Sequence, residues 1–108
     1  MKKVKRRYLA LKIDSDGTFS SKDFMDTVWS AVSKLYGEYG ASQTGLALID
    51  YDMEKGFAII RTTHTAVKIV RTALASITKI GNKPAAIHVL TVSGTIKALY
   101  KKLENMPS

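Results

Sequence analysis

The stretch Leu46-Ala47-Leu48-Ile49-Asp50-Tyr51-Asp52-Met53-Glu54-Lys55-Gly56-Phe57-Ala58-Ile59-Ile60-Arg61-Thr62 decides how this chain folds. Residues 46–51 and 57–62 are short apolar runs that read as strands, and residues 52–56 between them read as a hairpin connection. An antiparallel pair at the middle of the chain constrains what can flank it. Upstream, residues 7–14 alternate, with Leu9, Leu11 and Ile13 on one side and Tyr8, Ala10 and Lys12 on the other, a half-buried strand. Ser15-Asp16-Gly17 is turn chemistry. Ser20 or Ser21 then caps a helix, with Asp23 at its positive end and a stripe of Phe24, Val28, Ala31, Leu35 and Tyr39. Gly40 is its expected stop.

Downstream, Thr63 or Thr65 opens a second helix. Its stripe is Ala66, Val67, Val70, Ala73, Leu74, Ile77 and Ile80, its polar side holds Lys68, Arg71, Thr72 and Lys79, and Gly81-Asn82 ends it. Residues 85–92 form a fourth strand. Ser93 is expected to cap a last helix that starts at Gly94 or Thr95 and runs to about residue 103. The order is β-α-β-β-α-β-α. Two split βαβ units with right-handed crossovers give an α+β, ferredoxin-like or RNA-recognition-motif-like sandwich. It predicts a four-stranded antiparallel sheet of order 4-1-3-2, two helices on one face, and an added C-terminal helix. Residues 1–108 make a single domain without repeat or linker, with 1–5 a basic arm and 104–108 a frayed tail.

Composition narrows the function classes. With no cysteine there are neither disulfides nor thiolate metal sites, and an apolar fraction of 45% excludes a disordered chain. The longest uncharged run, residues 84–96, is shorter than a membrane helix requires. The apolar residues 8–11 are too few for a signal sequence before Lys12 interrupts them. The expected location is cytoplasmic, with no membrane contact.

The net charge of +8 is unevenly spread. Residues 1–12 hold six Lys/Arg and no acid; residues 13–54 hold eight acids against Lys22 and Lys34; residues 55–103 hold nine Lys/Arg and no carboxylate. A basic surface beside an acidic flank suits a protein that docks phosphates on one side.

Three segments are candidates for that docking. Lys55-Gly56-Phe57-Ala58-Ile59-Ile60-Arg61-Thr62 matches the first four positions of the octamer on the third strand of RNA-recognition-motif domains. Ile59 and Thr62 replace two of its base-stacking aromatics. Tyr8 and Phe57 are the rings left to stack bases; with half the platform missing, an ordinary apolar strand after a hairpin glycine is the favoured explanation of the segment. Val92-Ser93-Gly94-Thr95-Ile96-Lys97 runs a strand into a helix whose first amides and dipole suit an anion, and Lys101 and Lys102 extend its basic side. Apolar Ile96, Leu99, Tyr100 and Leu103 need a partner surface. The start of the chain, with Lys5, Arg6 and Arg7, either settles on phosphates or stays solvated.

Catalysis finds no support. His64 and His88 are far apart, and Asp14-Ser15-Asp16-Gly17 lacks the remaining ligands of a calcium loop. Asp50 and Asp52 have no acid or metal-binding partner, and no G-x-x-x-x-G-K loop occurs. No catalytic residue, metal ligand or bound cofactor is expected.

The run His88-Val89-Leu90-Thr91-Val92-Ser93-Gly94-Thr95-Ile96-Lys97 resembles the signature of the ribonuclease P protein component 2 family. Members of that family end in an R-x-L-x-V-S-G-T-I-K-like segment followed by a basic helix. Arg7-Tyr8-Leu9-Ala10-Leu11, the Gly56 hairpin and the element order extend the likeness over about residues 6–103. The resemblance implies a non-catalytic subunit of the ribonucleoprotein that removes the 5′ leader from precursor tRNA, a magnesium-dependent endoribonuclease whose RNA does the chemistry. It implies ribonuclease P RNA, precursor tRNA through the complex, and the barrel-shaped component 3 as partners, with a homodimer inside a dimer of heterodimers. Ser93, Gly94, Thr95 and Lys97 are the motif residues it places at or near RNA. His88 stands where a basic residue is common, and the last helix is less basic than in many members, which shifts expected phosphate contacts toward Arg6, Arg7 and Lys68. Two other readings remain: a stand-alone single-stranded RNA-binding module using Tyr8, Phe57 and Arg61, and a ligand-sensing regulatory domain.

Overall fold

The computed structural model describes residues 5–106, apart from the side chain of Tyr39. Residues 1–4 of the expected arm and 107–108 of the expected tail lie outside them. The elements in order are β1 (Arg6–Asp14), α1 (Ser21–Ser42), β2 (Ala47–Asp52), β3 (Phe57–Thr63), a short 3-10 turn (His64–Ala66), α2 (Val67–Ser76), β4 (Lys79–Ile80), β5 (Lys83–Pro84), β6 (Ala86–Ser93) and α3 (Ile96–Glu104). The main sheet is antiparallel with order β2-β3-β1-β6. This is the expected 4-1-3-2 arrangement read from the other edge, β6 being the fourth long strand.

β1 is central, and it is buried on both faces: Leu9, Ala10 and Leu11 have no exposed surface. On the inner face Leu9, Leu11, Ile13, Ala58 and Ile60 pack with Phe24, Val28 and Val32 of α1 and Val70, Ala73 and Leu74 of α2. The outer face holds a second, smaller cluster, in which Ala10 and Ile59 meet Leu99 of α3. The apolar stripe of the last helix thus finds its partner on the back of the sheet.

Gly56 closes the central hairpin. Its φ of 61° is a left-handed value, and a Cβ there would lie 2.6 Å from the Ile13 carbonyl oxygen. That close approach comes with the Ile13 amide, which donates to the Gly56 carbonyl at 2.7 Å. Glycine is therefore the residue that fits.

Local expectations are corrected at several points. Ser20 caps α1, accepting from the Asp23 amide, but the helix continues past Gly40 to Ser42. It breaks instead at Gly37, whose φ of 78° is disfavoured for side-chain-bearing residues. Burial is interrupted after Val32, with Leu35 48% exposed, and returns beyond the Gly37 break at Ala41, which is wholly buried in the core. α2 stops at Ser76, well short of Ile80. Ile77 is extended, and residues 79–84 form a two-stranded hairpin that turns at Gly81-Asn82. β-Branched Ile77, Thr78 and Ile80 ahead of Gly81-Asn82 are hairpin chemistry. Ile80 stays fully buried in this hairpin, and Lys79 is strand rather than helix surface.

At the chain's ends, the Lys5 carbonyl accepts from the His64 amide at 2.9 Å, so this residue of the expected arm is tied to the start of the 3-10 turn. Asn105 caps α3, and the Met106 amide still donates to Leu103, so order extends two residues beyond the helix.

Candidate nucleic-acid interface

Antiparallel register decides which cations share a surface. β1 begins, β3 ends, β6 ends and β2 begins at one end of the sheet: Arg6 pairs with Thr63, Tyr8 with Arg61 and Ser93, and Ala47 with Arg61. The turn leading into α2 follows β3 there, and α3 follows β6 there. Exposed Lys68 and Lys97 consequently lie in the first turns of α2 and α3, one on each face of the sheet, with exposed Lys5 and Arg6 between them. Two helix N-termini add their positive dipole ends to the same place. The arrangement presents cations and two positive helix ends to an extended anion, which suits a phosphate backbone.

The Ser93–Lys97 corner differs in detail from its sequence reading. Ser93 is the last residue of β6 and only 6% exposed; it does not cap the helix. Thr95 does, its hydroxyl accepting from the Ala98 amide at 3.1 Å. Ser93 lies on the outer sheet face beside Tyr8, where α3 covers it, whereas Thr95 is free of strand pairing and takes the cap. A Cβ on Gly94 would lie 3.5 Å from Arg7 Nη1, so the guanidinium of Arg7 occupies the space beside this glycine. That guanidinium also donates to the Arg6 carbonyl. Arg7 is half-buried and joins the first strand to the turn before α3.

Further along α3, Lys101 is exposed. Lys102 donates to the Val92 carbonyl at 2.8 Å, tying the helix to β6, so its ammonium is partly engaged within the protein. Tyr100 reaches over to Asp50 of β2 at 3.5 Å; partial burial and then the Asp50 carboxylate raise its pKa.

Tyr8 and Phe57 are both half-buried and pack against the Ala10–Ile59–Leu99 cluster. α3 therefore lies over the middle of the face that an open stacking platform would need. Arg61, expected as a contact only in the stand-alone single-stranded RNA reading, is half-buried beside Tyr8, and its buried Nε has no hydrogen-bond partner among the described residues. Its place next to the last position of the recognition-motif octamer was the available signal.

Other sites are sparse. Among the described residues no three His, Cys, Asp or Glu side chains gather as metal ligands would, and no helix is long and apolar enough to cross a membrane. A cleft of about 410 Å³ bounded by Asp26, Ser30, Lys34, Ser76 and Lys79 is a surface groove, not the enclosed pocket that a ligand-sensing domain uses.

Fold and site together define an α+β ferredoxin-like sandwich whose outer sheet face is capped by a third helix and whose one end gathers cations. The chain belongs to the Rpp14/Pop5 family, whose model matches residues 7–104. It is 38% identical to the ribonuclease P protein component 2 of Methanosarcina mazei over 100 residues, covering 93% of this chain and 84% of that protein. With the protein of the same name from Pyrococcus furiosus it shares 35% identity over 98 residues, 91% of this chain and 82% of the relative. The backbone is also similar to a chain in the cryo-EM structure of yeast ribonuclease MRP, with a TM-score of 0.70 over 96% of this chain and 95% of that one. At 13% identity that likeness concerns the fold.

Proposed function

We propose that this chain is a non-catalytic protein subunit of ribonuclease P that binds and stabilises the RNA which cleaves the 5′ leader from precursor tRNA. The observation that carries the reading is the gathering of Lys5, Arg6, Lys68 and Lys97 with two helix N-termini at one end of the sheet, in a chain whose relatives are named as components of that enzyme. Ser93, Gly94 and Thr95 shape the turn that sets Lys97 there, Arg7 braces it, and Lys101 and Lys102 continue the basic side of α3.

The mechanism is electrostatic. Where RNA helices crowd together their phosphates repel, and fixed cations at the sheet end screen that repulsion without ordering free ions. The magnesium required by the reaction belongs to the RNA in this account. The protein works in the cytoplasm and meets precursor tRNA only through the complex. The barrel-shaped component 3 is its protein partner, within a dimer of heterodimers. The acidic half of the sequence, residues 13–54, supplies α1 and β2, which leaves a surface of different character for protein contact.

Reconstitution with the RNA and companion proteins tests the mechanism. The Lys97→Ala, Lys101→Ala, Lys102→Ala triple variant is expected to shift the magnesium needed for half-maximal cleavage upward by several-fold. An unchanged requirement refutes the screening role of α3.

A further inference from the structure

The outer face of the sheet is unequally covered. Its residues form rows across all four strands. The row Thr91–Ala10–Ile59–Asp50 runs beneath α3, with Ala10 and Ile59 wholly buried. The row Ser93–Tyr8–Arg61–Ala47 flanks it at the end where α3 begins. The row on the opposite side is His88–Lys12–Phe57–Asp52, in which Lys12 and His88 are exposed and Phe57 and Asp52 half-buried.

This row sets a partly exposed phenyl ring between a cation and a carboxylate. Phe57 rests against the Leu99 cluster and keeps part of its surface open. Lys12 and His88 stand on one side of it. Asp52, on the other, uses one carboxylate oxygen to accept the Lys55 amide at 3.3 Å, which leaves the second oxygen for a ligand. Lys12 and Asp52 are two strands apart, roughly 10 Å at the backbone. That span suits one nucleotide laid from phosphate to far base edge.

We infer that this corner holds a single unpaired nucleobase, stacked on Phe57, with Lys12 and His88 at its phosphate and the Asp52 carboxylate accepting hydrogen bonds from an exocyclic amine. Each part has its chemical reason. An aromatic face stacks any base. A cation beside it neutralises the backbone. A carboxylate accepts from the amine of cytosine, a group that uracil lacks. Phe57 occupies the third position of the recognition-motif octamer; of the two other positions where an aromatic is expected, Ile59 lies covered by α3 and Thr62 is buried, bonded to the Thr44 carbonyl. The site is thus what remains of a stacking platform after a helix has been laid across it. This deepens the RNA reading above and rests on it, but it concerns a different surface from the sheet end.

The test uses the full chain with short oligocytidylate and oligouridylate, and separately with the folded catalytic RNA. Phe57→Leu keeps apolar packing and removes the stacking face. It is expected to weaken oligocytidylate binding about 5- to 100-fold, with an unchanged circular dichroism spectrum. Asp52→Ala is expected to level the preference for cytidylate over uridylate. The inference is overturned if wild type binds the two oligonucleotides equally, or if Phe57→Leu binds oligocytidylate as wild type does. Loss of oligocytidylate binding in Phe57→Leu, in a chain that never binds the catalytic RNA, supports the corner and refutes the subunit reading.

Discussion

Replacing Arg6, Lys68 and Lys97 together with alanine is expected to weaken binding to the catalytic RNA roughly 100- to 500-fold at about 0.1 M salt. Each cation that neutralises a phosphate releases a counterion, and its loss lowers the slope of log affinity against log salt by about one. Three such losses lower it by about three. All three side chains are exposed, so their removal leaves the core intact. They act from one place: Arg6 opens the central strand, while Lys68 and Lys97 stand in the first turns of two helices that start at the same end of the sheet. The control is the Lys22→Ala, Lys34→Ala, Lys79→Ala variant, which removes the same formal charge from exposed positions elsewhere. Beyond a Debye length of about 10 Å those charges are largely screened, so that variant should lose less than about threefold. Titration of labelled RNA at several salt concentrations reads both the affinity and the slope.

Leu99→Ala is expected to cost about 2–5 kcal/mol of folding stability. Leu99 has no exposed surface and is the residue through which α3 enters the outer cluster, with Ala10 and Ile59 beneath it. Alanine leaves a cavity against a sheet whose backbone is fixed by pairing on both sides, so the site closes little. Ile96 and Leu103 of α3 are only partly buried against the same cluster, and the Lys102 bond to Val92 and the Tyr100 contact with Asp50 are at the surface, so each contributes less. For a domain of this size 1 kcal/mol corresponds to about 4–8 °C, so melting should fall by about 8 °C or more. Because α3 carries Lys97, the variant should also bind RNA less tightly while retaining the inner core of α1 and α2. Urea unfolding followed by tyrosine and tryptophan fluorescence measures the first effect.

Much of the fold was legible because its signals were local. The 46–62 hairpin, the Ser20 cap and the alternation in β1 each depend on residues within a few positions of one another, and the strand order follows from their sequence. The end of α2 was not legible. Ile77 and Ile80 are three apart, so they continue a helical stripe, yet Ile77 buries in the extended exit from α2 and Ile80 in the hairpin after it; both arrangements hide the same apolar surface. Ala10 read as outward-facing, yet it is fully buried, because α3 crosses the sheet there and a small residue lets the helix approach.

The cationic surface was legible by composition and only partly by place. That Lys68 and Lys97 share a sheet end follows from the element order. That Lys102 donates to Val92, and that Arg7 fills the space beside Gly94, depends on contacts between residues that periodicity does not relate. The Lys12–Phe57–Asp52 row was hidden for the same reason: its members come from three strands, and only register aligns them.

The central claim is that the end of the sheet where β1, α2 and α3 begin faces the catalytic RNA. Its most direct measurement is photo-crosslinking in the reconstituted complex, with a crosslinking side chain placed in turn at positions 68, 97, 22 and 34. Crosslinks to the RNA from 68 and 97, and little from 22 and 34, are the predicted result. Crosslinks from 22 and 34 with none from 68 and 97 contradict the account.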